Sequence, residues 1–219
     1  MAKKQIFIVD DHAVVRYGLS ALIGAQSDME ICGMAGSASE ALDLVRKLKT
    51  MPDLVVSDLT LPDHNGLELI KDLKALDPKL PVLMMSMHDE LLYAERVLKA
   101  GGRGYLMKEH SENVVPAIRQ ILRGTPYVSP AVTSHFLESL AGGESQHYSF
   151  PLKRLTDREL EVFELIGQGK ATEHISTQLN ISPRTVDAHR THIREKLGLA
   201  DSSAVLRYAV RWQAGEDLE

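Results

Sequence analysis

The chain has 219 residues, of which 44% are hydrophobic and 25% charged, an ordinary globular composition with room for about two domains. Its formal net charge of −5, from 25 basic and 30 acidic residues, excludes a uniformly basic nucleic-acid coat while leaving room for a local basic face. No apolar run approaches the roughly 18 residues of a membrane span, Met1-Ala2-Lys3-Lys4 leads into a strand pattern without a signal-peptide core, and Cys32, the single cysteine, cannot form an internal disulfide; a cytoplasmic protein with no membrane partner is expected.

Along residues 1–123, short hydrophobic runs alternate with helix-like patterns. The runs at 5–9, 30–35, 53–57, 81–85 and 103–107 have the length and composition of buried strands. Helical periodicity covers 14–24, 39–49, 66–76 and 90–100, and a fifth helix is expected over 112–122 with Ser111 as its N-cap. Strands alternating with helices of this length predict right-handed crossovers and a parallel sheet. Cys32 reads as a small buried apolar residue. Met84, Met85, Met87 and Met107 read as core or near-core filler, and His12 and His88 as exposed loop histidines.

Gly124-Thr125-Pro126 ends this pattern, 130–140 reads as one short helix, and 141–151 as an exposed linker. From 152 to 219 no strand signal remains. Four helices are expected, at 157–167, 172–179, 183–197 and 202–212. Thr156 with Glu159 three residues on makes a capping box, and Ser182-Pro183 is a strong helix start.

The chemistry-bearing residues of the first half sit at strand ends. Asp10-Asp11 follow the first run, Asp58 the third, Ser86 the fourth and Lys108 the fifth. In an open parallel sheet the carboxyl ends of the strands line one crevice. A lone Asp at a strand end is usually a cap or loop residue; a set spread over four strand ends is a site. Carboxylates at close quarters need a cation or protons. Oxygen donors suit Mg²⁺, which keeps several waters. A carboxylate beside that ion can attack phosphorus, while Lys108 supplies positive charge and the Ser86 hydroxyl can hydrogen-bond a phosphoryl oxygen.

These residues carry a resemblance. IVDDH at 8–12, SDLTLPDHNG at 57–66, MSMHD at 85–89 and GYLMKE at 104–109 resemble the receiver domain of response regulators. The resemblance implies a flavodoxin-like (βα)5 fold with strand order 2-1-3-4-5 and phosphorylation of Asp58. It implies Mg²⁺ held by Asp11, Asp58, Asp10 through water and the carbonyl of Thr60, with Lys108 and Ser86 completing the catalytic set. It also makes Ser86 and Tyr105 the switch pair: the hydroxyl moves to the phosphoryl group and the ring turns inward. Glu109 departs from the family, where many members carry proline after the lysine.

In the second half, Ile175 and Leu179 give one helix an apolar face, Asn180 is a candidate left-handed helix end, and Val186, Ile193 and Leu197 repeat along the next helix. This is a helix-turn-helix pattern, whose second helix would enter a DNA major groove; a small helical bundle that binds protein has the same pattern. LTDRELEVFELIGQG at 155–169 and ISPRTVDAHRTHIREKLGL at 181–199 resemble the LuxR-type DNA-binding domain. By position, that resemblance implies that Asp187, Ala188 and Thr191 face bases and that Arg184, Thr185, Arg190 and Arg194 lie near the DNA backbone. Asp187 and Glu173 depart from it, standing where many members have lysine.

A receiver followed by a LuxR-type domain is the NarL/FixJ class of response regulators. The fold class implied is an α/β flavodoxin-like receiver (1–123), a linker with one short helix (124–151) and an all-α four-helix domain (152–219). The function implied is transcriptional control through a sensor histidine kinase, double-stranded DNA and a homodimer formed on phosphorylation. Apart from self-phosphorylation from a phosphodonor and slow self-dephosphorylation, no enzyme activity is expected. A phosphorylation-independent regulator or protein-binding adaptor is the alternative; the intact Asp58, Ser86 and Lys108 argue against it. An aspartyl-phosphate phosphatase would need a second Asp where Thr60 stands.

Overall fold

The computed structural model describes residues 2–140 and 151–214; the stretch 141–150, read from the sequence as linker, lies outside them. The chain divides into two compact units, Met1–Glu144 and Ser145–Glu219.

The first unit follows the alternation of its sequence. Strands β1 (Lys4–Val9), β2 (Met29–Ala35), β3 (Leu54–Asp58), β4 (Val82–Ser86) and β5 (Gly104–Met107) alternate with helices α1 (Ala13–Gly24), α2 (Ala38–Lys47), α3 (Gly66–Leu76), α4 (Glu90–Lys99) and α5 (Val114–Leu122), and α6 (Pro130–Leu140) follows. All strand pairs are parallel, in the order β2-β1-β3-β4-β5. Every residue of β3 and β4 is buried, as expected for central strands covered on both faces. Ile6, Ile8, Leu54, Val56, Leu83 and Met85 form the core on one side with Leu19, Ile23, Val114, Ile118 and Ile121. Each such side chain contributes roughly 1.5–3 kcal/mol by leaving water.

Register determines where the site falls. Val9 pairs with Ser57, Asp58 with Met85 and Ser86 with Met107. The next residues, Asp10 and Lys108, therefore emerge at the same edge as Asp58 and Ser86. Strand order reverses between β1 and β3, with β2 added on one side of β1 and β3 to β5 on the other, and this is the switch point at which open α/β sheets bind ligands.

Four details differ from the sequence expectation. Asp58 and Ser86 close their strands rather than follow them. Ser111 does not cap α5: residues Lys108–Asn113 form a 3-10 turn, and α5 begins at Val114. Pro116 explains the shift. In a helix starting at 112 it would fall in the second turn, where its missing N–H breaks a backbone hydrogen bond; in one starting at Val114 it lies in the first turn, where none is needed. Met84 and Met85 are core, but Met87 is 62% exposed because the chain has already left the sheet. Cys32 is only half-buried, and burial pushes its thiol up to about 11, leaving it unreactive.

The second unit is helical. A 3-10 turn (Pro151–Arg154) precedes α7 (Asp157–Gly167), α8 (Thr172–Gln178), α9 (Pro183–Leu197) and α10 (Ser202–Gln213). The Thr156/Glu159 capping box opens α7, and Ser182 with Pro183 opens α9. Asn180 adopts the left-handed conformation between α8 and α9, with φ 51°. Leu160, Phe163, Ile166, Ile175, Val186, Ile193, Val205 and Ala209 are buried together as its core residues. Helix α7 packs against α9 and α10. At Gly167 a Cβ would lie 2.7 Å from the carbonyl oxygen of Ala209, so only glycine permits the α7–α10 approach.

Candidate functional site

At the carboxyl edge of the sheet, Asp10 (2% exposed) and Asp58 (5%) are nearly buried carboxylates. Lys108 lies between them, its Nζ 2.7 Å from Asp10 Oδ2 and 2.6 Å from Asp58 Oδ2. The remaining Asp10 oxygen, Oδ1, accepts the His12 N–H at 2.8 Å, and Asp58 Oδ1 accepts the Thr60 N–H at 3.3 Å. Asp11 is more exposed and pairs with His12 at 2.6 Å. Burial raises the Asp58 carboxyl above its ordinary value, Lys108 acts against this, and the Asp10 charge adds to the rise.

Two buried carboxylates share one ammonium here, with a third carboxylate beside them. Oxygens of Asp10, Asp11 and Asp58 and a nitrogen of His12 lie within 4.8 Å of one another. This excess of hard oxygen donors fits a divalent cation such as Mg²⁺ better than a soft metal.

Neighbouring residues shape the pocket wall. Ser86 Oγ accepts the His88 N–H at 3.1 Å, and the Tyr105 hydroxyl donates to the His88 carbonyl at 2.7 Å. Tyr105 is thus already turned inward, 1% exposed. His88 is not the exposed loop histidine expected from sequence: it is half-buried, and its Nε2 lies 3.0 Å from Thr60 Oγ1. Arg16 donates to the Asp10 carbonyl at 2.5 Å, an anchoring contact the strand-end pattern does not reveal. Gly66 lets α3 start directly against the end of β3, since a Cβ would meet the Asp58 carbonyl oxygen at 2.7 Å.

Asp63, also unremarked in the sequence, ties the loop after Asp58 to the start of α2. Its carboxylate accepts the N–H groups of Ala38 (2.9 Å) and Ser39 (2.8 Å) and the Ser39 hydroxyl (2.5 Å). Burial opposes ionisation, but these hydrogen bonds from Ser39 and Ala38 outweigh it and hold the carboxyl well below the usual range. The one sequence signal was an acid following Pro62 in a turn, and nothing local names α2 as its partner.

In the second unit, α9 exposes Arg184, Asp187, Ala188 and Thr191, the i, i+3, i+4, i+7 spacing of a single helical face. Thr185, Arg190 and Arg194 are half-buried at its flanks. Thr185 Oγ1 is engaged with Ser182 Oγ at 2.8 Å, and the Arg190 Nε is buried without a hydrogen-bond partner among the described residues. Elsewhere on α9, Lys196 Nζ donates to Glu159 of α7 at 2.6 Å, and the same carboxylate accepts the Thr156 N–H at 2.8 Å. Burial raises the Glu159 carboxyl, but Lys196 and Thr156 prevail and lower it.

Known proteins share both units. The family model "Response regulator receiver domain" matches residues 6–119, and "Bacterial regulatory proteins, luxR family" matches residues 153–209. The oxygen regulatory protein NreC of Staphylococcus carnosus (strain TM300) is 33% identical over 212 residues, 94% of this chain and 97% of that protein. NreC of Staphylococcus aureus (strain MRSA252) is 35% identical with the same coverage. Among solved structures, RcsB of Salmonella enterica serovar Typhimurium, bound to promoter rprA in the presence of phosphomimetic BeF3−, aligns over 95% of this chain and 98% of that one with a TM-score of 0.69. At 23% identity this shows a shared fold. A LuxR-family two-component response regulator from Aurantimonas sp. SI85-9A1 is 33% identical, covering 64% of this chain and 99% of that one, with a TM-score of 0.59.

The chain therefore belongs to the response regulators, in the branch that joins a receiver domain to a LuxR-family DNA-binding domain. It is a two-component transcriptional regulator, and its class is not one of conventional enzymes.

Proposed function

We propose that Asp58 accepts a phosphoryl group from a phosphohistidine on a sensor histidine kinase and that the phosphorylated protein binds DNA as a homodimer. The observation carrying this is the Lys108 ammonium held between Asp10 and Asp58 at the switch point of the sheet. In the transfer, an Asp58 carboxylate oxygen forms a bond to phosphorus, the P–N bond breaks, and the imidazole nitrogen takes up a proton. Lys108 then faces the phosphoryl oxygens, and the Ser86 hydroxyl turns to donate to one of them. Asp11, Asp58, the Thr60 carbonyl and, through water, Asp10 would hold Mg²⁺, which would supply charge neutralisation to the transferring group. Attack of water on the phosphorus later returns Asp58 and inorganic phosphate, the only turnover this reading contains.

Moving the Ser86 hydroxyl releases the His88 N–H it now accepts, so the β4–α4 loop and the Tyr105 hydroxyl bonded to it respond together. The receiver domain is assigned to 1–123, the linker to 124–151 and the DNA-binding domain to 152–219. Within the last, Asp187, Ala188 and Thr191 face bases, while Arg184, Thr185, Arg190 and Arg194 lie along the phosphates. A two-fold dimer implies an inverted-repeat operator. A protein that works on chromosomal DNA in a bacterium acts in the cytoplasm.

The test is phosphoryl uptake from a radiolabelled small-molecule donor with Mg²⁺. The wild type is expected to gain acid-stable, base-labile label, and Asp58→Asn none. Equal labelling of that variant would remove Asp58 from the role.

A further inference from the structure

We propose that Asp187 reads a base, its carboxylate selecting cytosine through the exocyclic N4 amino group at one position of each operator half-site. The inference rests on the DNA-binding reading of the second unit.

Helix α9 begins at a defined point, because Ser182 caps it and Pro183 occupies its first turn. Its first two turns direct Val186 into the core and turn Arg184, Asp187 and Ala188 outward. In helix-turn-helix proteins this N-terminal part of the second helix reaches the base edges. Asp187 is the only acid within Pro183–Arg190. Among the described residues its carboxylate makes no hydrogen bond or ion pair; only its backbone carbonyl is engaged, accepting Thr191 Oγ1 at 3.0 Å. Arg184 and Arg190, three residues to either side, do not neutralise it.

An ionised carboxylate carried into a groove must find a donor or forfeit its hydration uncompensated. Phosphates repel it. The major-groove edges of guanine and thymine offer it only acceptors, so the donors are cytosine N4 and adenine N6. Adenine sets N7 beside N6, and that lone pair opposes the second carboxylate oxygen. Cytosine has no acceptor next to N4 on its own edge. The carboxylate thus rejects three bases by repulsion and accepts one, a form of specificity in which the penalty for the wrong partner does most of the discrimination.

The experiment is selection of duplexes from a randomised pool by the full-length protein with beryllofluoride and Mg²⁺, for wild type, Asp187→Ala and Asp187→Asn. The wild type is expected to enrich a motif containing cytosine at the Asp187 position. Asp187→Ala should lose preference there alone, by roughly five- to a hundredfold in discrimination, with all other positions unchanged. Asp187→Asn should move the preference to adenine, whose N6 and N7 suit an amide. An unchanged motif in both variants would overturn the proposal. So would tighter binding of every duplex by one common factor, which would make the carboxylate merely repulsive. A wild type that selects no sequence would instead bring down the DNA-binding reading itself, and the base assignment with it.

Discussion

Lys108 Nζ lies 2.6 Å from Asp58 Oδ2, and the same ammonium reaches Asp10 Oδ2 at 2.7 Å. One cation therefore compensates two carboxylates that are almost wholly removed from water. Removing one partner of a buried ion pair leaves uncompensated charge and costs about 3 kcal/mol. Lys108→Ala is expected to lose stability on that scale in metal-free buffer, with the carboxyls taking up protons as a partial remedy. Millimolar Mg²⁺ should restore part of the loss, because the two vacated oxygens become available to it. Urea unfolding with and without Mg²⁺ measures both effects, and a variant insensitive to Mg²⁺ would show that the carboxylates do not face one shared site.

Asp63 holds the loop after Asp58 against the first turn of α2 through Ala38 and Ser39. Losing such a helix-start acceptor costs about 1 kcal/mol, so Asp63→Ala should be destabilised by that amount near neutral pH. The sign of its pH dependence follows from a folded-state carboxyl held below the unfolded one. The contribution is complete above the unfolded value of about 3.9 and is lost as pH falls through the lower folded value. The gap between wild type and Asp63→Ala in urea melts should therefore narrow steadily below about pH 4; a gap that widened there would assign Asp63 the opposite linkage.

Much of this was legible before the structure. The five apolar runs located the sheet, and residues one position beyond four of them located the pocket, because parallel register brings strand ends to a common edge. What stayed hidden depends on contacts between distant segments. Asp63 and Ala38 are far apart in sequence, and no local pattern joins them. Ser111 looked like a helix start because caps are read locally, whereas Pro116 sets the boundary through its missing N–H. Tyr105 could be named as an aromatic at the right place, but its inward rotamer depends on the His88 carbonyl. On α9 the sequence marked a polar, outward helix face, while the half-burial of Thr185, Arg190 and Arg194, the buried Arg190 Nε and the engaged Thr185 hydroxyl appeared only with packing.

Arg184 is the exposed arginine at the start of α9, and Arg194 is half-buried near its end. Both are assigned to phosphates, so neither should alter which sequence is bound. Each phosphate contact releases counterion, and deleting one lowers the slope of log affinity against log salt by about 1. Arg184→Ala and Arg194→Ala are each expected to weaken specific and nonspecific duplexes alike and to flatten that slope. Fluorescence anisotropy across a salt series makes the comparison. A slope equal to wild type for either variant would move that arginine off the DNA backbone.

Glu159 couples the α7 start to α9, accepting the Thr156 N–H at 2.8 Å and Lys196 Nζ at 2.6 Å, with His192 Nδ1 at 3.7 Å from its other oxygen. The carboxylate is buried and the lysine partly exposed, so the two single losses are unequal. Lys196→Met leaves a desolvated anion and should cost about 2 kcal/mol. Glu159→Gln keeps acceptor and volume, frees an ammonium that can reach water, and should cost less. In the double variant the stranded anion is gone, and its loss of stability should fall short of the sum of the single losses by about 1 kcal/mol. The folded carboxyl lies below its unfolded value, so the wild-type advantage over Glu159→Gln holds above about pH 4.5 and fades as pH falls through the folded value. Because Lys196 lies on the helix assigned to the groove, Lys196→Met should also loosen α9 and weaken DNA binding without changing the preferred sequence. A strictly additive cycle in thermal or urea unfolding would mean that the pair carries no coupling and that α9 is held by its apolar face alone.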